Sequence, residues 1–141
     1  MESKKQNSQK FFDFTVDDIN EYLSKFRVCI LEGRYSISCN DHRKQNMDFI
    51  EDYKIDSIKE KEILCGLKYD DFCYAVENNH RMYPHEVLYI FCKKHELDHW
   101  GVIETMDIYI KVNMLRMRNG DLFSVVVSFH KRNFDIDYLF K

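Results

Sequence analysis

Two alternating runs, Met106–Leu115 and Leu122–Lys131, flank the stretch Arg116–Asp121 with Asn119-Gly120 at its centre. No other feature of the chain constrains its fold as strongly. Asn-Gly between alternating runs signals a β-hairpin, because both residues tolerate the positive φ that a two-residue type I′ turn requires. With Asn119 and Gly120 as the two central residues, Tyr109 opposes His130 and Lys111 opposes Ser128. On the other face Ile110 opposes Phe129, Val112 opposes Val127 and Met114 opposes Val125. One face is then apolar, and the other carries Tyr109, Lys111, Asn113, Ser128 and His130. Val126 is the mixed member, apolar yet on the polar face.

Upstream of the hairpin the pattern is helical. Ile19, Tyr22, Leu23, Phe26 and Ile30 recur at three- and four-residue steps, predicting a helix within Thr15–Gly33 that opens on a Thr15/Asp18 capping box. Asn40 or Asp41 is placed to cap a second helix carrying Met47, Phe49, Ile50 and Tyr53, and Ser57 a third with Ile58, Ile63 and Leu64 facing inward. Tyr69–Val76 reads as one or two further helical turns, and Asn78–Pro84 as a loop. Val87–Lys93 is a dense apolar run of strand length. Helices first and strands second define an α+β fold, with N-terminal helices on one face of a C-terminal antiparallel sheet of at least three strands. A length of 141 residues suits one domain. We expect it to span residues 10–141, with Met1–Gln9 a frayed polar tail.

No apolar run approaches the ~18 residues of a membrane span. The five cysteines (Cys29, Cys39, Cys65, Cys73 and Cys92) include no CxxC pair. They read as reduced, mostly buried thiols of a cytoplasmic protein. The net charge is −3, yet the segment Lys111–Arg132 holds Lys111, Arg116, Arg118, Lys131 and Arg132 against Asp121 alone. Such a basic patch suits a polyanion or an acidic partner, and it equally suits the charged blunting of a sheet edge.

The polar face has a chemistry of its own. Cleaving RNA without a metal or other cofactor requires a base for the ribose 2′-hydroxyl, an acid for the leaving oxygen and a cation for the phosphate. His130 titrates near neutrality, Lys111 supplies charge, and Tyr109 donates a hydrogen bond or stacks on a base. The bland alternative is the solvated face of a half-buried sheet.

The succession Gly66-Leu67, Asp71-Phe72, Ile108-Tyr109-Ile110-Lys111-Val112 and Val126-Val127-Ser128-Phe129 resembles the MqsR-type toxins of bacterial type II toxin–antitoxin systems. The resemblance covers roughly Ile58 to Lys131. The Ser128-Phe129-His130 ending and aromatic tail through Tyr138 and Phe140 look like a Gram-positive branch of that family. It implies a RelE-like fold, metal-independent mRNA endoribonuclease activity, RNA as substrate and a cognate antitoxin as partner. It places the family's strand tyrosine on Tyr109 and its basic residue after Ser-Phe on His130, where the MqsR type has lysine. A further family lysine falls on Tyr74, with loss of charge, and a glutamine falls near His85. Arg116, Arg118, Lys131 and Arg132 complete the expected RNA-binding set. The rival expectation is a non-catalytic module whose basic hairpin docks a protein or nucleic acid.

His95-Glu96-Leu97-Asp98-His99 matches the H-E-x-x-H zinc signature. A zinc site at His95 and His99 is a minor alternative, because the motif needs a stable helix and a third ligand, for which Glu104 and Asp107 are close in sequence. The surrounding residues favour a connecting loop or short helix instead.

Overall fold

A computed structural model describes residues 9–40, 43–78 and 86–141. The hairpin is present as β5 (Val102–Arg116) and β6 (Leu122–Lys131), but its turn differs from the expected one. Arg116 pairs with Leu122, the Met117 N–H donates to the Asp121 carbonyl at 2.7 Å, and the Gly120 N–H donates to the Met117 carbonyl at 3.0 Å. The connection is therefore the three-residue loop Arg118-Asn119-Gly120, in which Gly120 takes the left-handed conformation at φ +93°. Asn119 acts through its side chain, whose Oδ1 accepts from the Asp121 N–H at 2.9 Å.

This turn shifts the strands by one residue near the loop. Val112 pairs with Val126, Asn113 with Val125 and Met114 with Ser124, which corrects the expected Val112–Val127 and Met114–Val125 pairs. Val127 is the extra residue of a β-bulge, and beyond it Lys111 faces Ser128, Ile110 faces Phe129 and Tyr109 faces His130 as expected. The bulge also accounts for Val126, which turns into the core and is fully buried.

A two-residue turn with positive φ occurs instead at Trp100 (+57°) and Gly101 (+92°), joining β4 (Val87–His99) to β5. Asp98 Oδ1 accepts from the Gly101 N–H at 2.8 Å and braces it. His95–His99 is thus strand, correcting the loop or short helix expected there. Four residues of strand separate two positions by about 13 Å, so His95 and His99 cannot share one ion.

The sheet is wider than the C-terminal half alone. It has six strands in the order β1-β3-β4-β5-β6-β2, where β1 is Lys10–Phe11, β2 is Tyr35–Ile37 and β3 is Phe72–Glu77. All neighbours are antiparallel except β2, which runs parallel to β6. Only Tyr69–Asp71 forms a helical turn, tied by the Asp71 carboxylate to the Lys68 N–H at 2.9 Å. The aromatic and apolar residues after it extend as β3, correcting the helical reading of Tyr69–Val76.

Helix α1 spans Val16–Leu31 behind the Thr15/Asp18 capping box. Helix α2 spans Lys44–Asp52, with Arg43 rather than Asn40 at its N-cap and no side-chain cap; Asp41 lies outside the described residues. Helix α3 spans Ser57–Cys65 and is capped by Asp56, not Ser57; Ile63 and Leu64 face inward as expected, but Ile58 in its first turn is exposed. Met1–Ser8 of the expected tail and Asn79–Pro84 of the expected loop also lie outside the described residues. Among the described residues no helix is long and apolar enough to cross a membrane.

The helices cover one face of the sheet. Ile19, Leu23, Phe26 and Ile30 of α1, Phe49 of α2, and Ile63 and Leu64 of α3 join Phe72, Phe91, Ile110, Val126 and Phe129 in one buried cluster. At about 2–3 kcal/mol for each fully buried large side chain, this cluster is the main source of stability. The opposite face has a smaller core of Cys73, Tyr74, Val76, Leu88, Ile90, Cys92 and Tyr109, with Ile136 and Tyr138 packed upon it. The segment after β6 therefore crosses this second face and pins its end to β3, through the Leu139 N–H to the Phe72 carbonyl at 3.1 Å.

Candidate functional site

The second face changes character toward β6. Alternation along β5 points Tyr109, Lys111 and Asn113 away from the helices, and the antiparallel pairing adds Ser128 and His130. Tyr109 and His130 stack with ring centroids 5.5 Å apart and planes inclined by 30°. The pairing depends on Asn46, which is fully buried in α2. Its Nδ2 donates to the carbonyls of Ser38 (2.7 Å) and Val127 (3.0 Å), and its Oδ1 accepts from the Phe129 N–H (2.9 Å). One side chain thus satisfies backbone groups of β6 at and beyond the bulge, together with the Ser38 carbonyl just after β2, and ties α2 to β6 where β2 ends.

That attachment brings in a residue the hairpin pattern gave no sign of. Arg43, at the start of α2, lies close enough for its charge to act on Tyr109, Lys111 and His130 alike. No local motif marks it, because its position depends on the contact of Asn46 with β6. Among the described residues, neither Lys111 nor Arg43 forms an ion pair. Among the described residues, the charges acting on Lys111 and His130 are all positive.

The protonation states follow. Burial, and then the charge of Arg43, lowers the Lys111 ammonium below its ordinary range. Burial lowers His130 as well, and Lys111 and Arg43 lower it further against the opposing pull of the Lys131 carbonyl. That carbonyl lies 2.8 Å from His130 Nδ1, which places the proton of the neutral ring on Nδ1 and the lone pair on Nε2. Burial raises the Tyr109 phenol well above its usual range, with Tyr74 and Cys73 adding to the effect. At neutral pH the face presents a neutral imidazole, a protonated phenol and two cations.

The other predicted residues are dispersed. Tyr74 is buried in the smaller core, in ring contact with Phe12 and beneath the Lys10 ammonium at 4.6 Å. Arg116 binds the Gly120 carbonyl at 2.6 Å, and it lies with exposed Arg118 at the far end of the hairpin. Arg132 is held by Asp107 at 3.2 Å, and Lys131 lies 3.6 Å from Glu104 and 5.2 Å from the Tyr53 ring centre. His85 lies outside the described residues. Beside His130 a groove of about 330 Å³ opens between α2 and the end of β6, with Phe49, Tyr53 and His99 among its lining.

Among the described residues no three His, Cys, Asp or Glu side chains converge as a metal site. The five cysteines are free thiols. Burial pushes Cys73 up to about 12 and also raises Cys39, Cys65 and Cys92, which disfavours the thiolate a nucleophile needs. No family model, curated protein or solved structure matches the chain.

Proposed function

We propose that this chain is a toxin-like, metal-independent mRNA endoribonuclease, acting on the face formed by Tyr109, Lys111, His130 and Arg43 and held in check by a cognate antitoxin. The observation that carries the reading is that Lys111 and His130 share one face beside Tyr109, through the pairing of β5 with β6, while the described charges acting on both are positive. Keeping a largely buried lysine charged with no ion-pair partner among the described residues costs stability, and an anion in the same place offsets that cost. A phosphodiester is such an anion. The resemblance to MqsR-type toxins rests on the same strands and supplies the reaction class.

The chemistry divides among the four groups. His130 Nε2 takes the proton of the ribose 2′-hydroxyl, and the 2′-oxygen attacks phosphorus. Lys111 and Arg43 stabilise the charge that grows on the phosphoryl oxygens. The bond from phosphorus to the 5′-oxygen breaks, and the protonated Tyr109 hydroxyl supplies the leaving oxygen with its proton. The products are a 2′,3′-cyclic phosphate and a free 5′-hydroxyl. Solvent returns the proton to Tyr109 and removes the one held by His130.

Induced expression tests the reading in cells. Wild type slows growth and depletes mRNA, whereas the folded double variant Tyr109→Phe/His130→Ala does neither. Full toxicity in the double variant assigns the activity elsewhere. Binding to RNA that weakens steeply with salt, without any product, is the outcome of the non-catalytic alternative.

A further inference from the structure

Phe134 is a large apolar side chain that remains 44% exposed beside the smaller core. Its backbone is not loose. The Arg132 side chain grips Asp107 on one side and donates to the Phe134 carbonyl at 2.9 Å, and the chain beyond is pinned at Leu139. The ring meets Tyr109 edge-on, with centroids 5.1 Å apart and planes at 66°. Tyr109 in turn stacks on His130. A half-exposed ring is therefore held within one ring contact of the groups that face the phosphate.

We infer that Phe134 is the platform on which an unstacked nucleobase of single-stranded RNA rests while its phosphate lies against Arg43, Lys111 and His130. The inference builds on the reading of this face as an RNA-cleaving site. Three features point to this ligand. Arg43 and Lys111, on the far side of Tyr109 and His130 from Phe134, attract a polyanion. The half-exposed phenyl ring offers a stacking surface to any base, because every base has a π-face. In a duplex the bases are already stacked upon one another, so the platform selects single strands. Phe134 is a positioning residue, since it touches the base and not the reacting atoms. It lies in the tail after β6, where the sequence offered only an aromatic run.

The test uses the full chain and a short single-stranded RNA in which every 2′-hydroxyl is methylated, so that binding is read without cleavage. Phe134→Ala weakens this binding about tenfold, Phe134→Leu weakens it nearly as much, and Phe134→Trp restores it. Fluorescence of the introduced indole, after subtracting the signal of wild type, which carries Trp100, is quenched as RNA is added. Binding to an oligomer of ribose phosphates lacking bases is equal in all four proteins. Wild-type affinity in Phe134→Ala, full affinity in Phe134→Leu or an unquenched indole overturns the platform. RNA binding by wild type without cleavage of unmodified RNA overturns the nuclease reading and leaves the base contact measurable.

Discussion

The Asn46 side chain donates to the carbonyl of Val127 across 3.0 Å, and Val127 is the residue by which β6 exceeds β5. This contact lies between the loop, where the strands are offset by one residue, and the Tyr109–His130 pair. Replacing Asn46 by alanine leaves the Val127 and Ser38 carbonyls and the Phe129 N–H without their side-chain partner. A loss of about 3 kcal/mol follows, from the usual cost of stranding buried polar groups. Urea unfolding measures it. The surviving folded fraction of Asn46→Ala also loses RNA cleavage, because the bulge and the start of α2 no longer align.

The proposed cleavage has an acid limb set by His130. Burial and two neighbouring cations place its folded-state pKa below the ordinary 6.5, so the imidazole is neutral and able to accept a proton at pH 7. Cleavage therefore rises with pH through a midpoint below 6.5 and then levels. Arg43→Ala removes one of the depressing charges and moves the midpoint upward, while reducing the plateau rate about tenfold. A pH–rate profile of the two proteins reads both effects.

Lys111 lowers stability while it stays charged, and in the proposed mechanism that charge meets the phosphate. Its folded-state pKa is depressed, so below that value the charged folded form is penalised, and the penalty disappears as pH rises past the unfolded-chain value of 10.5. Lys111→Met removes the charge at similar volume. At pH 7 the variant gains about 1 kcal/mol in thermal or urea unfolding and loses cleavage by about a hundredfold. The stability gain shrinks toward zero above pH 10.5.

Gly120 carries the left-handed position of the hairpin loop, at φ +93° with nothing within 4 Å of an added Cβ. Gly120→Ala therefore costs about 1 kcal/mol through backbone strain alone. It leaves cleavage unchanged, because the bulge at Val127 separates this loop from the Tyr109–His130 pair. Unfolding and cleavage measured together distinguish this loop from the candidate site.

The Tyr109–His130 pair was legible in the sequence, though for a partly mistaken reason. The loop is one residue longer than the I′ turn expected, and the Val127 bulge restores the offset. Val126 was the visible trace of that bulge, an apolar residue in a polar register. The helix α1 start was plain because Thr15 and Asp18 form a local motif. Arg43 and Asn46 were not legible, since Asn46 bonds residues more than eighty positions away in β6 and Arg43 is placed by the same helix start, with its charge reaching strands β5 and β6. The start of β3 was obscured by Asp70 and Asp71, which do begin a helical turn before Phe72 leaves it. Phe134 carried no periodic signal, because it lies in an irregular segment fixed by tertiary contacts.

The most direct measurement is the chemistry of the ends left on a labelled single-stranded RNA incubated with purified protein in EDTA. Wild type is expected to cleave it, leaving 2′,3′-cyclic phosphate and 5′-hydroxyl ends, and folded His130→Ala to leave it intact. Intact RNA with wild type, 5′-phosphate ends, or equal cleavage by His130→Ala would contradict the proposed mechanism.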